Sequence, residues 1–537
     1  MKKSMLSSVA LLAALGACAQ KNATAVKYAQ VISVEDAKKQ LTIIASDAME
    51  GRETGKPGAD RAAAYLAGEY KKIGLLPANK GSYFLDIPLT NTIFNFKSFA
   101  VNGHALTYGA DYTVAGGNGT QNIKGAEVVF VGYGTEAEVG SADLTGKIVM
   151  VIGEPKPGTP APDPAQQRRG GMGMMSAVRS KSPALILSVN TVRPGMGGKT
   201  AERMSLKRDA QPGQRPGEGA LIPNNGQGAN TRPNTPRALS VTISPAVADQ
   251  IIKTSGKTYE ALKAAAAQAT VAAQTIKADV AADYETEVKD AKAVDIVAYM
   301  PGSDPKLKDE VLVFSAHYDH IGMLPEGTPG DRINNGADDD GSGTTGILEI
   351  ARAFSAAKKA GKGPRRTVLF LGNVGEEKGL LGSEYYSEHP VFPMANTVAD
   401  LNIDMIGRRD PAHKDSPDYC YLIGSDKLST TLHKISESAN STYTNLAVDY
   451  KYNDPNDPER IYYRSDHYNF AKHNVPIIFY FDGVHEDYHR VSDEVSKIDF
   501  PLLVKRAQLV FYTGWDLANR DTRPVVDVTN NMPATRQ

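Results

Sequence analysis

The chain has 537 residues, 41% of them hydrophobic and 23% charged, with a formal net charge of −1. At about 100–200 residues per domain, that length accommodates several domains and a large core. The near-neutral charge carries no polyanion-binding signature, so the composition is that of an ordinary globular protein and a nucleic-acid partner is not expected.

The N-terminus stands apart from the rest. Lys2 and Lys3 precede an apolar run from Met5 to Leu15. That run is shorter than the ~20 residues a spanning helix needs, and it reads as the apolar region of a secretory signal. It ends in Leu15-Gly16-Ala17-Cys18, which resembles the bacterial lipobox, where the signal is cut before the cysteine and the thiol carries a lipid. The resemblance implies a lipoprotein signal peptide over 1–18. It implies an exported protein held to a membrane only through Cys18, facing the periplasm or the cell exterior. A plain signal peptide is the alternative. With Cys18 lipidated, Cys420 has no intramolecular partner, and the fold must be stable without disulfides.

Over 60–73, Ala62, Tyr65, Leu66, Tyr70 and Ile73 recur at helical spacing, and Gly74 marks the stop. From about 121 the text becomes β-rich, with Glu127–Val131 and Lys147–Ile152 as strands. Residues 154–237 are rich in Pro, Gly, Gln and Asn, which predicts a long loop broken by the apolar run Ala184–Leu187. Alanine-rich residues 260–274 predict a helix. From 294, strands alternate with helices. Val311–Phe314, Thr367–Leu371, Leu401–Ile403 and Pro476–Tyr480 are buried-type strands, and Ile347, Leu348, Ala351 and Phe354 mark a helix face. This alternation predicts an α/β fold, a mixed and mostly parallel sheet sandwiched by helices.

In open α/β sheets, ligands gather beyond the carboxyl ends of the strands. Here those ends are followed by His317-Tyr318-Asp319-His320, by Glu376-Glu377, by Asp404, and by His485-Glu486-Asp487-Tyr488-His489. Between the first two strands lies the acidic glycine turn Asn334–Gly343, ahead of a helix. Imidazoles mixed with carboxylates suit zinc, and a shared carboxylate suits a pair of zincs roughly 3.5–4 Å apart. A further carboxylate must serve as general base, and adjacent Glu376 and Glu377 can divide those tasks.

In these ordered blocks, from Ala316 to Asp493, the chain resembles the two-zinc (co-catalytic) aminopeptidase family of secreted bacterial leucine aminopeptidases, within the glutamate carboxypeptidase II superfamily. Leu41–Asp47, Glu50-Gly51-Arg52 and the helix that follows share the resemblance. It implies two Zn2+ ions, with His317 and Asp404 serving one, Glu377 and His489 the other, and Asp339 bridging both. It implies Glu376 as general base, Asp319 as the group orienting His317, Tyr488 as an oxyanion stabiliser, and a cis peptide between Asp339 and Asp340. Asp338 and Asp340 are expected to be turn residues, and His320 to lie near the site without binding metal. Ser465-Asp466-His467 resembles a string beside the site in that family, so Asp466 and His467 are candidates for the substrate pocket. Purely structural bonding is the alternative. The string His485–His489 also fits the H-E-x-x-H signature of single-zinc proteases, which works only on a helix. The preceding strand and Gly483 argue against a helix, leaving His485 and Glu486 as rim residues.

The middle of the chain resembles an inserted protease-associated domain, through Val128–Gly134 and Asp143–Lys147. The implied division is 19–107 as the N-terminal part of the peptidase domain, 108–275 as the insert, with its Pro/Gly-rich loop at about 154–237, 276–522 as the catalytic domain, and 523–537 as a tail. The implied activity is removal of N-terminal residues from peptide substrates by a zinc-bridging hydroxide. A carboxypeptidase of the same superfamily, with Arg464 taking a free carboxylate, is one rival. A single-zinc glutaminyl cyclase relative and a non-enzymatic, receptor-like binding lipoprotein are the others.

Overall fold

The computed structural model describes residues 21–114, 119–158, 175–192, 199–207 and 238–532. The expected signal peptide with Cys18, most of the Pro/Gly-rich loop and the last residues of the tail lie outside them. Among the described residues, no helix is long and apolar enough to cross a membrane.

One strand organises the chain. Gln274–Met300 is 27 residues long and pairs antiparallel with Phe84–Val101 from Val280 to Ile296. From Ile276 to Tyr284 every second residue is buried, residues 287–290 are exposed, and Asp295–Ala298 are buried on both faces. A period of two belongs to a sheet with one wet face, and an unbroken buried run belongs to a sheet covered on both sides. The strand thus leaves one core, crosses solvent and enters another.

At its C-terminal end it joins the α/β half. There the strand order is Ala447–Asp449, Tyr419–Ile423, Ile477–Phe481, Thr397–Ile403, Val311–His317, Thr367–Asn373, then Gln274–Met300. Val311–His317 runs parallel to both neighbours, and Thr397–Ile403 runs parallel to Ile477–Phe481. The pairs Thr367–Asn373 with Gln274–Met300 and Tyr419–Ile423 with Ile477–Phe481 are antiparallel. Leu312, Phe314 and Ala316 pack with the helices Gly341–Lys359 and Phe500–Asn519 on one face. Val311 and Val313 pack with Tyr386 and Phe470, from helices Leu381–Glu388 and His467–Lys472, on the other. The sheet is mixed, mostly parallel and sandwiched by helices, as expected. The helix predicted over 60–73 is Pro57–Ile73, with proline in its first turn and Gly74 at φ 90° closing it.

The other half has its own core, running from Phe94 to Tyr284 in sequence and sharing no residue with the first. Gln121–Phe130, Ile148–Ile152, Leu185–Val189 and Leu239–Ile243 form a parallel run within it. The divisions placed at 107/108 and 275/276 fall inside this core, which extends into both long strands. The helix expected over 260–274 ends at Gln268, and Ala269 is already extended. Alanine propensity yields there to pairing, because Gln274 and Ile276 form rungs with Phe130 and Val128.

Candidate metal centre

His317 ends the central strand, and its carbonyl accepts from Thr344 Oγ1 at 2.8 Å. The acidic turn leads into the helix Gly341–Lys359, which Asp340 caps by accepting from the Gly343 N–H at 2.9 Å. The same carboxylate oxygen accepts from the Met405 N–H at 3.0 Å, tying this turn to the strand end that carries Asp404. The Asp339–Asp340 peptide is cis. Gly336 has φ +56°, and a Cβ there would collide with the Asp339 carbonyl and the His320 ring.

Two fully buried groups hold these loops together. Arg52 donates to the carbonyls of Tyr318 (2.7 Å), Ile44 (3.0 Å), Asn335 (2.6 Å) and Gly336 (2.8 Å), clamping the loop after His317 against the acidic turn. Asp493 accepts from the Asp338 N–H with both oxygens and from the Asp339 N–H with one, each at 3.1 Å.

The clamped loops bring the expected donors together in two groups. His317 Nε2 lies 3.4 Å from Asp339 Oδ1 and 3.5 Å from Asp404 Oδ1. His489 Nε2 lies 3.1 Å from Asp339 Oδ2 and 3.2 Å from Glu377 Oε2. Asp339 therefore turns one oxygen to each group. Zinc–ligand distances of ~2.0–2.1 Å imply tetrahedral edges of about 3.3 Å, close to these separations. His317 Nε2 and Asp339 Oδ2 are buried with no hydrogen-bond partner among the described residues. An orphaned buried polar atom costs about 1–3 kcal/mol, a penalty that a bound cation removes. The donor set fits a pair of metal ions.

Glu376 Oε2 is 3.9 Å from His317 Nε2, and burial raises its carboxyl well above the usual range, with His317 opposing and Glu377 and Asp404 reinforcing. Burial alone would lower the His317 imidazole, but the carboxylates of Asp404 and Glu376 outweigh it and raise it well above its ordinary value. That negative field is what a dication would neutralise.

Asp319 acts differently from expectation. His317 Nδ1 donates to its backbone carbonyl at 3.1 Å, and its carboxylate stands 3.8 Å away. The carboxylate instead accepts from Thr54 Oγ1 (2.6 Å) and from the Glu376 N–H (3.3 Å). One residue thus steadies His317 through its main chain and Glu376 through its side chain.

Tyr488 stacks on the His489 ring at 3.9 Å, and its hydroxyl accepts from half-buried Arg464 at 3.2 Å. Asp466 and His467 are both fully buried, so neither can line a substrate pocket, and that expectation is corrected. His467 Nε2 bonds the Tyr462 carbonyl at 2.8 Å, its ring stacks on Phe479, and burial lowers its imidazole to about 3. Burial raises Asp466 to about 7. Glu486 is exposed, but His485 is buried and lies 3.1 Å from Asp338 Oδ2. It is not a rim residue. Residues 486–489 form a turn, and the two histidines face different carboxylates, so H-E-x-x-H is not a shared metal site here. His320 is also fully buried and lies 2.9 Å from Glu377 Oε1.

An α/β sheet whose strand ends gather imidazoles and carboxylates into two groups around one aspartate defines the class, that of the zinc exopeptidase fold. Residues 295–514 match the model of peptidase family M28. A protein of Trichophyton verrucosum described as "Probable leucine aminopeptidase" is 31% identical over 231 residues, covering 42% of this chain and 57% of the relative. Leupeptin-inactivating enzyme 1 of Streptomyces exfoliatus is 30% identical over 208 residues, covering 38% and 39%. The chain thus spans little more than half the length of the first of these relatives, and less of the second. Among solved structures, the aminopeptidase from Aneurinibacillus sp. strain AM-1 aligns with TM-score 0.57 at 17% identity, covering 94% of this chain and all of that one. A zinc aminopeptidase from Bacillus subtilis aligns with TM-score 0.53 at 16% identity, covering 94% and 99%. At such identities the likeness is one of fold.

Proposed function

We propose that this chain is an exported two-zinc metallo-exopeptidase that removes N-terminal residues from peptides. The observation that carries the reading is Asp339, whose two oxygens face separate imidazole–carboxylate groups. His317, Asp404 and Asp339 would hold one zinc, and Glu377, His489 and Asp339 the other. When bound, the pair supplies Lewis-acid polarisation of the scissile carbonyl and makes water acidic near neutral pH.

The chain's own residues do the rest. Glu376, held by its N–H on Asp319, takes the proton of the attacking water and returns it to the leaving amine. Burial, reinforced by the charge of Asp339, keeps the Tyr488 phenol protonated, well above its ordinary range. Because its oxygen accepts from Arg464, its O–H stays available to donate to the developing oxyanion.

The relatives described as aminopeptidases favour the N-terminal direction of attack. A carboxypeptidase is the second reading, favoured by the Arg464 guanidinium beside the centre. Matched peptides with each terminus free or blocked decide between them. Loss of cleavage on blocking only the N-terminus is expected, and cleavage indifferent to that block would overturn the assignment. Zinc content separates both from a binding lipoprotein, with two per chain expected and none sinking the enzyme reading. Anchoring at Cys18 predicts that labelled fatty acid enters the wild-type chain and not Cys18→Ala, and label in both would refute it.

A further inference from the structure

We propose that His320 is an additional metal ligand, completing the group of Asp339, Glu377 and His489 as a position with two imidazoles and two carboxylates. The proposal rests on the two-metal reading above and adds a residue outside its ligand set.

His320 follows His317 by three residues, but the chain turns between them. Its N–H donates to the Arg52 carbonyl at 3.2 Å, which points the side chain back toward the centre. The residue is 0% exposed. Nδ1 lies 2.9 Å from Glu377 Oε1 and 3.7 Å from Asp339 Oδ2. Nε2 has no hydrogen-bond partner among the described residues, and Nδ1 faces two carboxylates, those of Glu377 and Asp339. A buried imidazole nitrogen turned onto two carboxylates is an arrangement that a shared cation satisfies.

The four donor separations in this group are 2.9, 3.7, 3.1 and 3.2 Å. They bracket the ~3.3 Å edge of a tetrahedral zinc site. The ring is wedged in place, because a Cβ on Gly336 would lie 2.5 Å from its Cδ2. It faces the His489 ring at 5.8 Å, with 69° between the planes. His320, Asp339 and Glu377 offer donor atoms that all lie within 4.8 Å of one another, as do His317, Asp340 and Asp404 in the other group.

The two positions are therefore unequal. One has a single imidazole among carboxylates, and the other has two. Nitrogen-rich surroundings favour zinc and cobalt over harder ions, so the His320 position should fill first.

The test is a zinc titration of the metal-free full chain by calorimetry, repeated with cobalt(II) by visible absorption, for wild type, His320→Asn and His320→Gln. One of the two equivalents should weaken by more than about 100-fold in the variants, beyond the ~10–100-fold typical of an outer-sphere partner, and its cobalt band should change. Unchanged binding would overturn the proposal. So would a weakened equivalent with an unchanged cobalt band, since that marks a hydrogen bond acting through Glu377. Should neither variant fold, proton NMR of the wild-type dicobalt protein counts coordinated imidazoles by their shifted ring signals. Three are expected, and two would refute the assignment. A chain that binds no zinc sinks the two-metal reading as well, whereas two zincs held equally by wild type and variants sink only this inference.

Discussion

Two runs of parallel strands lie in the same sheet, and they are built alike. Ile148–Ile152 and Leu185–Val189 are buried along their whole length, and so are Val311–His317 and Thr397–Ile403. The difference begins at the strand ends. In the second body the strands run out into Gly153, Asn190 and Ser244, which turn or cap the chain. In the α/β half they run out into His317, Glu376, Asp404 and Asp482. A buried strand is a packing solution that serves any function, and the chemistry lies in the first residues beyond it. The α/β half also buries more charge, with Arg52, Asp338, Asp340, Asp493 and Arg506 inside it, where the second body buries Glu138.

The sharpest way to separate the halves is Glu376→Gln, which should cut kcat by ~10²–10⁴-fold while both zincs stay bound. Peptide turnover alongside metal analysis checks it, and a loss under tenfold would remove Glu376 as the base. Leu187→Ala, in the second core, should cost about 2–5 kcal/mol in that body yet leave zinc affinity unchanged. Denaturant unfolding with a parallel zinc titration checks it, and weakened zinc binding would mean that the two cores are not independent. Asp493→Asn removes one acceptor from the Asp338 and Asp339 N–H groups and should weaken metal binding ~10–100-fold. Unchanged affinity would show that the acidic turn holds its shape without that anchor.

The smallest effect concerns Glu349, buried in the helix Gly341–Lys359 with no hydrogen bond to either oxygen among the described residues. Burial raises its pKa from 4.5 to about 8, with Arg352 opposing at 3.6 Å. The folded state keeps a proton that the unfolded chain releases, so stability falls as pH climbs through that window. Glu349→Gln should therefore gain stability at pH 8 relative to pH 5, read as the difference in unfolding free energy between variant and wild type. An equal effect at both values would refute the buried acid.

Much of this was legible in sequence because a continuous apolar run followed by a charge is a local signal. His317, Glu377, Asp404 and His489 each follow such a run. Arg52 carries no such signal, because its partners are carbonyls, and one of them, on Gly336, lies 284 residues away. Carbonyls leave no trace in residue identity. Asp493 is hidden for the same reason, since it holds main-chain N–H groups. His485 looked like a rim residue because nothing nearby in sequence reveals Asp338 beneath it. The end of the alanine-rich helix was missed because the strand that displaces it pairs with residues more than a hundred positions earlier.

The long strand has a consequence for how such a chain can be assembled. The second body enters through Phe84–Val101 and leaves through Gln274–Met300, and Thr92 sits directly across from Val288. Paired residues in an antiparallel ladder are ~4.5–5.5 Å apart, a gap that a two-residue turn closes. To the α/β half, everything between Thr92 and Val288 amounts to the tip of a hairpin, except the strand Thr200–Leu206, whose Met204 packs in the first core. The two modules can therefore lengthen, shrink or exchange as separate genetic units, provided the ribbon that joins them keeps its register and that strand its place.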